Sequence, residues 1–302
     1  MSEYVIETHE LWVQFGNKIA INDLNLRIIK GGVHSIVGSN GAGKTTLFKL
    51  LLGTLLPSYG HCKILGQDCG SLSPATRGKI GFVNEDHSLP SWMKVKSLKR
   101  MQQSFYQDWD ESIYQEVIGS FNVGAGQKVS QLSRGERAGL NLAMSLAQRP
   151  EVLILDEPTL GLDVVSKQAF LESLLYSSNA EGRTTIYCSH QMDEVEKVAD
   201  HLIVMEQGKL INVSAPDEFC ERIDYWVAQF DVTPQIERLP GLLQSRVIEG
   251  EHHVMVLDQD ATLQSEFEKL GANSAFRSRV NLSQAVNGFL SRNHVRPSES
   301  KG

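Results

Sequence analysis

Residues 38–45 read GSNGAGKT, a full match to the pattern G-x-x-x-x-G-K-[ST]. An anion as charged as a triphosphate is held by backbone N–H groups that point inward from a tight loop. Gly38, Gly41 and Gly43 permit such a path, because no Cβ obstructs positive φ or close approach. A helix that starts just after the loop turns its positive end towards the phosphates. Lys44 adds a full charge at the β- and γ-phosphates, and Thr45 offers a hydroxyl to Mg²⁺. The candidate nucleotide-binding set is Gly38, Ser39, Asn40, Gly41, Ala42, Gly43, Lys44, Thr45 and Thr46. The flanks agree with the motif. Residues 33–37, VHSIV, form a β-rich and mostly apolar run, and residues 46–52, TLFKLLL, form a helix stopped by Gly53.

Residues 152–158, VLILDEP, are the second informative stretch. Apolar residues in succession mark a strand covered on both faces, as in a parallel sheet. Such a strand ends with Asp156 at the sheet's edge beside the phosphate loop, where it holds Mg²⁺ through water. Glu157 points elsewhere, towards the γ-phosphate and an attacking water, and is the candidate general base.

Around these two stretches the chain alternates strands and helices as far as residue 212. Strands are expected at 24–29, 33–37, 63–65, 80–83, 152–155, 184–188, 202–205 and 209–211. Helices are expected at 45–52, 97–106, 111–121, 134–148, 165–177 and 193–198. The fold class is therefore α/β with the nucleotide at the carboxyl ends of the strands. Strand signal disappears between 86 and 134, which reads as an inserted helical subdomain. Beyond Pro216 a small α+β domain is expected, with a strand at 225–232, a hairpin at 246–257 and helices at 261–270 and 282–291. The tail 294–302 is expected to be disordered.

Bulk properties narrow the function. A net charge of −7 argues against broad nucleic-acid binding, and no nucleic-acid partner is expected. Cys62, Cys69, Cys188 and Cys220 form no C-x-x-C pair, which disfavours structural zinc or a disulfide framework and leaves small packing residues in a reducing cytosol. The N-terminus lacks the basic and apolar segments of a signal peptide. No apolar run approaches the roughly 20 residues of a spanning helix, so a membrane role needs a second polypeptide.

Taken together, these motifs resemble the ATP-binding cassette (ABC) superfamily. Residues 132–136, LSRGE, are similar to its signature, usually LSGGQ, and residues 158–163, PTLGLD, to its D-loop. His190, after a strand and before an acidic helix, looks like its switch histidine, and Phe15 occupies the place of its adenine-stacking aromatic. The resemblance covers about residues 4–215. It implies a P-loop NTPase cassette over 1–215, with a mixed or parallel core sheet, an antiparallel β part and the helical subdomain at 86–134, followed by an accessory domain at 216–293. It implies an ATP-hydrolysing subunit that pairs head-to-tail with a second cassette, most simply a homodimer, on two Mg-ATP. That dimer drives a separately encoded permease, so the chain is expected on the cytoplasmic face of the membrane, and the compact C-terminal domain resembles exporters. Ser133 and Gly135, opening a helix, reach the partner's γ-phosphate in this scheme, and Asp163 serves as a helix N-cap and as a D-loop residue. Lys44, Glu157 and His190 are the catalytic candidates. A soluble ABC ATPase with a regulatory or ribosome-linked role is the alternative. Ordinary core packing is the alternative for Phe15.

Two motifs depart from the family pattern. Its Q-loop glutamine falls on Glu85, which ligates Mg²⁺ as a carboxylate but cannot donate when ionised, giving Thr45, Asp156 and Glu85 as metal candidates. Arg134 replaces the first signature glycine and Glu136 the final glutamine; Arg134 either neutralises phosphate charge or, the favoured reading, projects to solvent. Trp92 and Met93 either form part of a groove for a permease helix or pack within the helical subdomain. Phe105, Tyr106 and Trp109 are expected in the core.

Overall fold

A computed structural model describes residues 3–259 and 263–292 and divides the chain into two compact units, Met1–Val213 and Ser214–Gly302. The expected tail at 294–302 lies outside the described residues.

The first unit opens with β1 (Tyr4–Phe15), β2 (Lys18–Leu24), β3 (Arg27–Ile29) and β4 (Val33–Val37). It continues through α1 (Lys44–Leu51), β5 (Tyr59–Ile64), β6 (Gln67–Asp68), α2 (Pro74–Arg77) and β7 (Ile80–Asn84). Three helices follow, α3 (Val95–Gln103), α4 (Glu111–Gly119) and α5 (Arg134–Ala147). The unit closes with β8 (Val152–Asp156), α6 (Val164–Glu181), β9 (Thr184–Cys188), α7 (Met192–Val198), β10 (His201–Glu206) and β11 (Lys209–Ser214).

One sheet runs β11-β10-β4-β9-β8-β7, and the four pairs from β10 to β7 are parallel. The register aligns Asn84 with Asp156, Asp156 with Cys188, and Cys188 with Ile36. The loops leaving β4, β7, β8 and β9 therefore emerge together at the strands' carboxyl ends, the usual ligand edge of a parallel sheet. Ile36, Leu47, Phe48, Ile154, Ile186 and Ile203 are at most 1% exposed, each worth about 1.5–3 kcal/mol in burial. A second sheet, β2-β1-β5-β6 with β3 also on β1, is antiparallel and shares this core.

Sequence and structure differ in definite places. The single strand expected at 24–29 is two, because β2 ends at Leu24 and β3 begins at Arg27. β1 carries no clean alternation: Glu10 sits at φ 43 and the pairing with β5 slips between His9 and Trp12. A bulge of that kind flips the faces of the residues that follow. Phe105 lies past the end of α3 and is 71% exposed rather than in the core, while Trp109 is half-buried and donates to Glu111. Cys62, Cys69 and Cys188 are buried free thiols, and Cys220 is half-buried.

The second unit contains α8 (Pro216–Glu221), β12 (Ile223–Phe230), β13 (Leu242–Ile248), β14 (Glu251–Leu257), α9 (Leu263–Lys269), β15 (Ala272–Ser278) and α10 (Leu282–Ser291). Its antiparallel sheet runs β13-β14-β12-β15, with Trp226 against Phe267 of α9. Asn281 and Gln284 form a reciprocal cap at the start of α10. β15 was not legible in the sequence, since it buries almost no apolar residue.

Candidate nucleotide site

The 38–43 loop leaves β4 and enters α1 at Lys44. A Cβ on Gly38 would lie 2.1 Å from the Met205 carbonyl oxygen, and one on Gly43 would lie 2.5 Å from that of Ala20. Glycine is thus required on the side where the loop packs on β10 and β2. At Gly41, with φ +83, a Cβ would meet nothing within 4 Å, so this part of the loop faces the open side. Lys44 is nearly buried and its Nζ lies inside the arc, donating to the carbonyls of Gly38 at 2.7 Å and Ser39 at 3.2 Å.

A cleft of about 320 Å³ opens on this loop, lined also by Thr45, Glu85, Asp156, Glu157 and His190. Four loops spread along the chain from residue 38 to residue 190 meet here because the strand register brings their ends together. The cleft also includes Lys18 and Ala20 of β2, which the sequence reading missed. Lys18 pairs with Phe15 across the β1–β2 turn, and that hairpin was the only signal that could have found it. Phe15 is 51% exposed, so core packing does not account for it.

Burial pushes the Asp156 carboxyl up; the Thr45 hydroxyl bond and Lys44 oppose this, while Glu85 adds to it. Asp156 and Glu85 with the Thr45 hydroxyl are hard oxygen donors of the kind Mg²⁺ takes. Among the described residues no group of three or more His, Cys, Asp or Glu is preassembled for a metal. That fits Mg²⁺, which is held by one or two carboxylates and substrate phosphates rather than by a protein cage.

Glu157 has a left-handed backbone, φ 49, and is nearly buried. Its N–H donates to the Cys188 carbonyl at 3.0 Å. Its carboxylate accepts from the His190 N–H at 3.1 Å and lies 3.2 Å from His190 Nε2. Burial raises the Glu157 carboxyl, and burial together with Lys44 lowers the His190 imidazole. A carboxylate with raised basicity beside a neutral imidazole suits proton abstraction from water.

Ser133 is exposed and caps α5 reciprocally with Glu136. Gly135 is buried, and its missing Cβ admits Ser166 of α6, whose Oγ would lie 2.1 Å away. Asp163 caps α6 through the N–H groups of Val165 and Ser166. Arg134 is exposed, as the solvent reading expected, and its Nη2 also donates to the Glu85 carbonyl at 3.0 Å, with its guanidinium over Gly161. Trp92 is 76% exposed, so packing within the helical region does not explain it.

Glu194 of α7 is a further residue the sequence did not reveal. Its carboxylate accepts from Tyr187 at 2.6 Å, Thr159 at 2.7 Å and Ser189 at 2.8 Å, and pairs with Lys167 at 3.0 Å. It thereby ties the turn after Glu157 to the segment before His190. Burial raises its carboxyl, but these partners outweigh burial and hold it below the ordinary 4.5. A depressed carboxyl stabilises the fold above the unfolded value and loses that contribution as pH falls through the folded value. Glu194→Ala is expected to cost about 3 kcal/mol, because three hydroxyls and a lysine lose their buried acceptor. Urea unfolding at pH 7 checks this; a loss under about 1 kcal/mol would contradict the assignment.

The ABC transporter family profile matches residues 21–160. The chain is 28% identical over 292 residues to the bacitracin transport ATP-binding protein BcrA of Enterococcus faecalis, covering 95% of this chain and 91% of that protein. It is 33% identical to Nod factor export ATP-binding protein I of Rhizobium johnstonii, covering 73% and 72% respectively. In fold, 70% of it superposes on 98% of a dimeric ATP-binding cassette bound to ADP and Pi, with TM-score 0.61 and 21% identity.

Proposed function

Because the chain belongs to the ATP-binding proteins of the ABC transporter family, we propose that its cleft binds one Mg-ATP and is completed by a second copy of the same chain. The chain is an ATP-hydrolysing subunit of an exporter-like transporter. The observation that carries the site assignment is the convergence of Lys44, Thr45, Asp156, Glu157 and His190 on one cleft at the strand ends.

In this reading the loop N–H groups and Lys44 bind the β- and γ-phosphates. Thr45, Asp156 and Glu85 would hold Mg²⁺, which neutralises phosphate charge when bound. Phe15, half-exposed beside Lys18, stacks on adenine. Glu157 takes a proton from water as the water oxygen bonds to the γ-phosphorus and the bond to the β-phosphate oxygen breaks, releasing ADP and phosphate. His190, whose Nε2 lies 3.2 Å from the Glu157 carboxylate, would contact the γ-phosphate of bound ATP. The exposed Ser133 at the start of α5 supplies a hydroxyl and a helix terminus to the partner's γ-phosphate. Gly135 lies under it, allowing α5 and α6 to pack closely enough to present that end.

Among the described residues no helix is long and apolar enough to cross a membrane. We place the chain on the cytoplasmic face, held there by a separately encoded permease. A groove of about 530 Å³ with Phe48, Leu52 and Phe82 on its walls shares Thr45, Glu85 and Asp156 with the nucleotide cleft. A permease helix seated there would sense the cleft through Glu85, with the exposed Trp92 as a further contact. Affinity-tagged chain purified from detergent-extracted membranes is expected to bring down a polytopic protein that raises its ATPase rate. Recovery of ribosomes or RNA instead, with RNA-stimulated ATPase, would favour the soluble alternative.

A further inference from the structure

The turn that carries Glu157 is clasped from two sides. On one side stand β9 and His190, through the Glu157 N–H bond to Cys188 and the His190 contacts to its carboxylate. On the other stands a residue to which the reading above gives no task. His87, three residues past the end of β7, is 1% exposed, and its Nε2 lies 2.8 Å from the Pro158 carbonyl oxygen. That carbonyl is on the residue that follows Glu157. A carbonyl only accepts, so Nε2 carries the proton and the ring is a neutral donor.

Unfavourable backbone lies at His87 and at Glu157, the residue just before the Pro158 acceptor. Glu157 sits at φ 49 and His87 at φ 44, each in the left-handed region that a residue with a Cβ avoids. Such conformations persist only where the surroundings over-determine them. The loop around His87 is fixed from a second direction by the Arg134 bond to the Glu85 carbonyl. A strained base-bearing turn is thus joined, by one buried hydrogen bond, to a strained loop that also presents Glu85 to the cleft.

We propose that His87 is a positioning residue for hydrolysis: by donating to the Pro158 carbonyl it holds Glu157 in its left-handed conformation. This rests on the reading of Glu157 as the base. His87 touches neither the phosphate loop nor the cleft wall, so it acts on turnover rather than on ATP binding.

The test compares His87→Gln, which keeps an N–H donor, with His87→Leu, which fills a similar volume without one, in the purified full chain with Mg-ATP. For His87→Leu, kcat is expected to fall about 10- to 100-fold, as for a displaced catalytic group, with KM for ATP within about twofold. His87→Gln is expected to recover most of kcat. Equal kcat for the leucine variant and the parent overturns the proposal. So does a leucine defect that appears as raised KM, or a failure of glutamine to restore kcat. If His87→Leu does not fold, the glutamine variant decides: parental kcat supports the donor role and a loss equal to an alanine variant removes it. Measuring Glu157→Gln alongside separates the two readings, since turnover in that variant discredits the base assignment whatever His87 does.

Discussion

Glu157→Gln is expected to bind ATP as tightly as the parent chain and to lose about 100-fold or more of its turnover, the usual worth of a general base. The substitution is nearly isosteric, and glutamine keeps an oxygen to accept from the His190 N–H at the present 3.1 Å. It should therefore leave the turn and its left-handed backbone in place. What it removes is the proton acceptor, whose basicity burial has raised. Lys44 and the 38–43 loop, which bind phosphate, are untouched. Single-turnover hydrolysis alongside equilibrium nucleotide binding separates the two quantities. Parental turnover would remove Glu157 from its role, and lost binding would show that it holds nucleotide rather than water.

Lys44→Ala should do the reverse. Its ammonium is nearly buried and satisfied only by the Gly38 and Ser39 carbonyls, which are weak partners for a full charge. A triphosphate offers a far better one. Charge-assisted hydrogen bonds contribute about 1.5–3 kcal/mol each, so affinity for ATP is expected to fall about 100-fold. Alanine is a good helix former at the first position of α1, so the fold itself should survive. Titration with a fluorescent ATP analogue reads the loss. An affinity within about threefold of the parent would place the phosphates elsewhere than on this loop.

The nucleotide loop, β8 and its two acids were legible because each lies in a contiguous stretch whose chemistry is complete in a few residues. The parallel strands were legible for a related reason: burial on both faces leaves apolar runs such as the VLIL of β8. β1 was not, because its kink at Glu10 breaks the alternation that announces a half-buried strand. β15 was not, because it lies at a sheet edge and is mostly exposed. His87 and Glu194 form a different class. Each takes its meaning from a partner far along the chain, 71 residues away for His87 and Pro158 and 35 for Glu194 and Thr159. Nothing in their local sequence marks them. Arg134 shows the same limit: it is exposed as expected, but the Glu85 carbonyl that the fold delivers to its guanidinium was not legible.

These residues explain why one chain carries a phosphate loop on one surface and an exposed Ser133 on another. In the dimer proposed above, neither surface completes a site alone. The most direct test of that claim is the solution mass of Glu157→Gln, measured by light scattering after gel filtration, with and without saturating Mg-ATP. The account predicts about 34 kDa without nucleotide and about twice that with it, given a chain of 33.6 kDa, with Ser133→Arg abolishing the doubling. A hydrolysis-deficient chain that binds ATP yet stays at the mass of one copy would contradict it.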